Sequence, residues 1–145
     1  MTLDEVRALI DPDEPDYARA AAVVSDDDVA HLATLAAGDD VMLASKAVYL
    51  AGLVGGDEAA AVVRQAADHD DPTVRVSAAA AIKNLPEAPA MEVGRHLLRD
   101  DDVGVRKVVL QSAARLESAQ VRADLLDSAA DEDDPYLREL AARLG

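Results

Sequence analysis

Residues 71–82 read DPTVRVSAAAAI, and residues 102–113 read DVGVRKVVLQSA. In both, an aspartate opens the segment, valine stands three residues on, and arginine four residues on. Seven and eight residues on come Ala78/Ala79 and Val109/Leu110, and at eleven Ile82 and Ala113. Offsets of three, seven, eight and eleven trace one face of an α-helix. An aspartate in front of that face is suited to the N-cap, because its carboxylate accepts from backbone N–H groups that have no partner inside the helix. Each segment therefore reads as a capped helix with one apolar stripe.

The same reading extends along the chain. Paired acids stand at Asp39-Asp40, Asp70-Asp71, Asp101-Asp102 and Asp133-Asp134, and the second members are 31, 31 and 32 residues apart. Three residues after them stand Leu43, Val74, Val105 and Leu137, and seven and eight after stand Ala47/Val48, Ala78/Ala79, Val109/Leu110 and Ala141/Ala142. A second set of apolar doublets precedes the pairs: Leu35/Ala36, Ala66/Ala67, Leu97/Leu98 and Ala129/Ala130. The unit is thus helix, acidic turn, helix. Neither helix can bury its stripe alone, so the units must stack. Asp71-Pro72 and Asp134-Pro135 place proline at the first helical position, where a missing N–H costs nothing, and Gly55-Gly56 and Pro86 stop two of the second helices. Thr2-x-x-Glu5 and Ser25-x-x-Asp28 read as capping boxes, the latter with Asp in place of the usual Glu. The predicted helices span 3–10, 15–24, 26–37, 41–54, 57–68, 72–85, 89–99, 103–116, 118–130 and 135–144. They form a single domain of units 1–24 (degenerate), 25–55, 56–86, 87–117 and 118–145.

Composition agrees. Of 145 residues, 31 are Ala, none is Phe or Trp, and three are Tyr. Ala is the strongest helix former, and a core without large rings must draw its dispersion energy from close helix approach. Cysteine is absent, which removes disulfides, thiolate metal sites and cysteine nucleophiles. The first residues lack a basic stretch followed by an apolar run, and no apolar run approaches the ~18 residues of a membrane span. A cytoplasmic location is the expectation. Twenty-nine acidic residues against 14 basic give a net charge of −15, which repels nucleic acid and anionic membrane at long range.

The pattern D-x-x-V-R-x-x-A-A-x-A-(L/I), carried by DPTVRVSAAAAI and DVGVRKVVLQSA, resembles the HEAT repeats of the phycobilin-lyase-like group over about residues 30–145. The resemblance implies an all-α solenoid of about five helical hairpins with a right-handed superhelical sense. The Asp-rich, Lys-poor profile is similar to that of proteins from salt-accumulating haloarchaea. A protein-interaction scaffold is the expected function; a subunit of a lyase-like enzyme holding a tetrapyrrole is the alternative from another class.

Candidate chemistry is sparse. Asp71/Arg75, Asp102/Arg106 and Asp134/Arg138 recur four residues apart at helix starts and read as a structural ladder, in which Arg meets the Asp of its own or a neighbouring repeat. Ala44 replaces Arg in one unit, so the ladder should stop there. The acidic runs lack the D-x-D-x-D-G order of a calcium loop. His31 falls at a normally apolar position, His69 in a turn and His96 on an outer face. The chain has no His-Glu pair of the kind that binds iron in deoxyhypusine hydroxylase, and no basic aromatic cleft like that of HEAT-type DNA glycosylases. It has no glycine-rich phosphate loop and no G-x-S-x-G elbow. No catalytic, metal or cofactor residue is assigned. All three lysines lie on second helices, away from the apolar stripe. In stacks that this chain resembles, second helices line the concave surface. A neutral-to-basic groove of Lys46, Tyr49, Lys83, Asn84, Lys107, Gln111 and Arg115 is therefore expected, with another protein's acidic or polar segment as its ligand. The chain itself is expected to be a monomer or weakly self-associating.

Overall fold

The computed structural model describes residues 1–145 and contains only helices and turns. Ten α-helices follow in order: α1 (Leu3–Ile10), α2 (Tyr17–Val23), α3 (Val29–Ala36), α4 (Val41–Val54), α5 (Asp57–Ala66), α6 (Pro72–Ala81), α7 (Glu87–Leu97), α8 (Val103–Ala113), α9 (Ala119–Ser128) and α10 (Pro135–Leu144). Short 3₁₀ turns stand at Asp26–Asp28, Ile82–Asn84 and Ala129–Asp131. Odd-numbered helices pack in one row (α1·α3·α5·α7·α9) and even-numbered helices in a second (α2·α4·α6·α8·α10), with each odd helix also packed on its even partner. The result is five stacked hairpins in two layers. Forty-one buried apolar residues, from Val6 to Ala141, form one continuous core between the layers. No helix is long and apolar enough to cross a membrane.

The even row is where the shortage of large side chains acts. Ala44, Ala47, Ala51, Ala78, Ala79 and Ala81 are fully buried. A Cβ added to Gly52 on α4 would lie 3.0 Å from the Ala81 Cβ on α6, so these helices approach closely with no space for a larger residue. Hydroxyls bridge the same row. Ser77 Oγ donates to the Ser45 carbonyl, and Ser112 Oγ donates to the Ala80 carbonyl at 3.3 Å.

Capping follows the sequence pattern closely. Asp40, Asp71, Asp102 and Asp134 each accept from a backbone N–H two or three residues on, at 2.8 to 3.1 Å. Asp16 caps α2 and Ser118 caps α9 in the same manner. Gly55 and Gly56 take φ of +80° and +91°, the left-handed region where a Cβ is penalised, and they terminate α4.

Several helix boundaries differ from expectation: α2 begins at Tyr17 rather than 15, α3 begins at Val29 after a 3₁₀ turn, α5 ends at Ala66, α8 ends at Ala113 and α9 spans only Ala119–Ser128. Two further differences, in α6 and α7, have a clear local cause. The helix expected over 72–85 ends at Ala81 and tightens to 3₁₀, because Ser112 Oγ on α8 accepts the Lys83 N–H at 2.9 Å. A hydroxyl from the neighbouring repeat thus takes a backbone donor that the helix would have used. The helix expected over 89–99 begins at Glu87, two residues earlier. Pro89 sits in its first turn, where N–H groups have no intrahelical acceptor in any case.

At the amino end, the Asp28 carboxylate is 5% exposed and accepts from the Met1 ammonium at 2.9 Å, the Ser25 N–H at 3.0 Å and the Ser25 hydroxyl at 2.9 Å. These donors favour the charged form and hold its pKa at about 2, led by the Met1 ammonium. The Met1 ammonium is raised in turn by Asp28.

Candidate partner-binding face and the arginine ladder

Two surfaces carry the polar side chains singled out by the sequence. The first is the ridge of turns between odd and even helices. Arg75 does not pair with Asp71, and Arg106 does not pair with Asp102; both aspartates are occupied as caps. Each arginine reaches forward to the next repeat. Arg75 Nε and Nη2 donate to the two oxygens of Asp100 at 2.9 and 3.3 Å, and Arg106 Nε donates to both oxygens of Glu132 at 3.2 Å. Their Nη1 groups reach back to carbonyls of their own turn, His69 at 2.8 Å and Asp100 at 2.7 Å. The carboxylate in each rung stands two residues before a cap aspartate and also accepts that aspartate's N–H. One guanidinium thereby ties two consecutive turns.

The rule has a regular counterpart where the rung is missing. Ala44 stands where the arginine would be, and the residue two before the next cap is His69, whose Nδ1 accepts the Asp71 N–H at 3.0 Å. In the first hairpin the corresponding residues are Ala20 and Gly38. Arg138 occupies the arginine position on α10, but its side chain is exposed and makes no hydrogen bond, and the Asp134 carboxylate caps α10 rather than pairing with it. The carboxylates at the −2 positions were missed because, in sequence, they look like more of the solvated acidic run. The repeat offset between 100 and 132 is the signal that would have found them.

The second surface is that of the even helices. Here the three lysines are each engaged. Lys46 Nζ donates to the Pro12 carbonyl at 2.7 Å and the Asp11 carbonyl at 3.4 Å, holding the loop between α1 and α2. Lys83 Nζ lies 5.2 Å from the centroid of Tyr49, and Lys107 Nζ lies 5.5 Å from that of Tyr136, both as cation–π contacts. Tyr49 also meets the Tyr17 ring edge-on, with centroids 5.0 Å apart. Burial raises the Tyr17 pKa, with a smaller contribution from Tyr49. Lys83, Asn84, Gln111 and Arg115 gather into adjoining clefts at the carboxyl ends of α6 and α8. Lys46 and Lys107 stand apart from them.

The larger cleft, about 840 Å³, is lined by Lys83, Asn84, Arg115, Glu87, Glu117, Ser118 and neighbouring apolar residues. A second, about 410 Å³, continues it past Gln111 and Ser112, sharing Lys83 and Arg115. The Asn84 Nδ2 is buried without a hydrogen-bond partner, a costly state for an amide. Glu87 and Glu117 bring acid to a groove expected to be neutral to basic. They lie just before or at the starts of α7 and α9, and the repeat alignment places those starts beside the ends of the even helices.

The histidines hold local roles. His31 Nε2 lies 3.0 Å from the Met1 carbonyl, and His96 Nε2 lies 2.7 Å from an Asp68 oxygen. No group of three or more His, Asp or Glu side chains is arranged to hold a metal ion.

No curated protein matches this sequence. The model of the family described as HEAT repeats matches residues 64–144, more than half of the chain. That match runs from within α5 to the end of α10, and the chain belongs to the HEAT-repeat family.

Proposed function

We propose that this chain is a single-domain interaction scaffold that holds an acidic or polar segment of another protein on the even-helix face. Proteins of this repeat family commonly serve as interaction scaffolds. Of the expected set, Lys83, Asn84, Gln111 and Arg115 form the binding site at the paired clefts, Tyr49 stands beside Lys83, and Lys46 and Lys107 lie outside it. The observation that carries the reading is the buried Asn84 amide, which lines the same cleft as Lys83 and Arg115 and has no partner of its own. With the Asn84 amide turned toward the cleft, its N–H groups would meet a carboxylate or carbonyl oxygen held between the two cations. Glu87 and Glu117 at the rim favour a segment in which the acidic residue is flanked by polar or basic ones. Tyr49, packed between Tyr17 and Lys83, positions the Lys83 ammonium beside the clefts rather than serving as a free anchor.

The test compares proteins captured from the native source by the wild type and by Lys83→Glu/Arg115→Glu, identified by mass spectrometry at native salt. The reading expects the captured set to lose its principal member in the variant. Recovery of the same proteins in the same yield would sink it. An Asn84 side-chain amide resonance that stays fixed when the captured segment is added as a peptide would also sink it.

A further inference from the structure

We propose that the arginine ladder continues between molecules, with Arg138 of one copy pairing with Glu14 of a second copy in a head-to-tail stack. Counting from the cap aspartates, every interior arginine at the fourth position meets a carboxylate two residues before the next cap: Arg75 with Asp100, Arg106 with Glu132. Where alanine holds the fourth position, at Ala20 and Ala44, the residue two before the next cap is not acidic: Gly38 and His69. Two halves of a rung are left over within this chain. Arg138 is four residues after Asp134, exposed and unpaired; Glu14 is two residues before the cap Asp16, also exposed and unpaired.

Burial says which faces these halves occupy. The seventh residue after a cap is buried at Ala47, Ala78, Val109 and also Ala141 on α10, so it faces the preceding hairpin. Its counterpart on α2, Val23, is 50% exposed. The eighth residue is buried at Val24, Val48, Ala79 and Leu110 but exposed at Ala142 on α10, so it faces the following hairpin. The α2 face of one copy therefore offers Val23 and Glu14 where the α10 face of another offers Ala142 and Arg138. Arg19 stands where later units place Leu or Val, which restricts the apolar part of the joint and makes the association weak and reversible. A contact of this kind joins two different faces and does not close on itself, so it produces a series of oligomers rather than a fixed dimer.

Sedimentation velocity across a concentration series in about 1 M KCl tests the joint, since the screening length there is only ~3 Å and repulsion between the acidic bodies is suppressed. The wild type is expected to gain weight-average mass with concentration. Arg138→Ala and Glu14→Ala, each with unchanged helical circular dichroism, are each expected to weaken association at least about tenfold. An equimolar mixture of the two variants is expected to form dimers and stop there, because only one intact Arg138 face and one intact Glu14 face remain to meet. A wild type that stays monomeric at every concentration would overturn the proposal. So would variants that associate like the wild type, or a mixture that fails to dimerise.

Discussion

Replacing Arg106 by methionine removes one guanidinium from the ladder and keeps most of its aliphatic stem. The guanidinium donates to both oxygens of Glu132 at 3.2 Å and to the Asp100 carbonyl at 2.7 Å, and the two side chains are 18% and 7% exposed. This pair is far drier than Arg64–Glu92, at 38% and 62%, a surface pair of the sort worth about 0–1 kcal/mol. Removing one member of a buried pair costs about 3–5 kcal/mol, because the other charge is stranded. The residual exposure of Arg106 lets water reach Glu132 and brings the expected loss below that range, to about 2–3 kcal/mol. At roughly 2–4 °C per kcal/mol for a chain of this size, the melting temperature should fall by roughly 4–12 °C. Glu132→Gln in the same background should recover part of that, since the carboxamide oxygen still accepts the Asp134 N–H without leaving an unpaired charge. Urea unfolding of the two single variants and the double variant measures the coupling. A loss under about 0.5 kcal/mol for Arg106→Met, or single losses that simply add in the double variant, would refute a structural rung between repeats.

Three further outcomes are expected. The Met1–Asp28 contact is sensitive to pH from both sides. Asp28 is depressed to about 2 from its ordinary 3.8, so its contribution is present above about 4 and is lost as pH falls through that range. The Met1 ammonium is raised above its ordinary 8.0, so its contribution is present below that value and fades as pH climbs past it. The stability difference between the wild type and Asp28→Asn should be largest between these limits, and a difference independent of pH would contradict the contact. For Gly52→Ala, the helix-propensity gain of about 1 kcal/mol is opposed by a Cβ only 3.0 Å from the Ala81 Cβ. A net loss of roughly 1 kcal/mol in urea unfolding is expected, and a gain would show that α4 and α6 have room between them. Finally, 29 acidic residues against 14 basic ones make the folded body repel itself, so the melting temperature should rise from dilute to molar KCl as screening shortens. A flat or falling profile would count against self-repulsion as a significant term.

The partial legibility of this protein follows from the range of each interaction. Helix starts at Val41, Pro72, Val103 and Pro135 were readable because capping acts over two or three residues, and the apolar stripes because helical spacing acts over three or four. The end of α6 was not readable, since it depends on Ser112, some 29 residues from the N–H it captures. The candidate face was legible as a set of residues and not as a site. Lys46 proved to hold the loop between α1 and α2, while Lys83, Asn84, Gln111 and Arg115 converged on adjoining clefts.

The arginine ladder shows the same division within one motif. Sequence alone placed Arg75 and Arg106 at equivalent helix starts and marked Ala44 as the missing rung, because identity and register are local properties of the chain. Sequence alone also determined the hairpin count and the stacking, since amphipathic helices of this length cannot stand singly in water. Which carboxylate each guanidinium meets was decided by tertiary structure. The cap aspartate four residues away is engaged by backbone N–H groups, and stacking brings a carboxylate 25 or 26 residues on within hydrogen-bond distance.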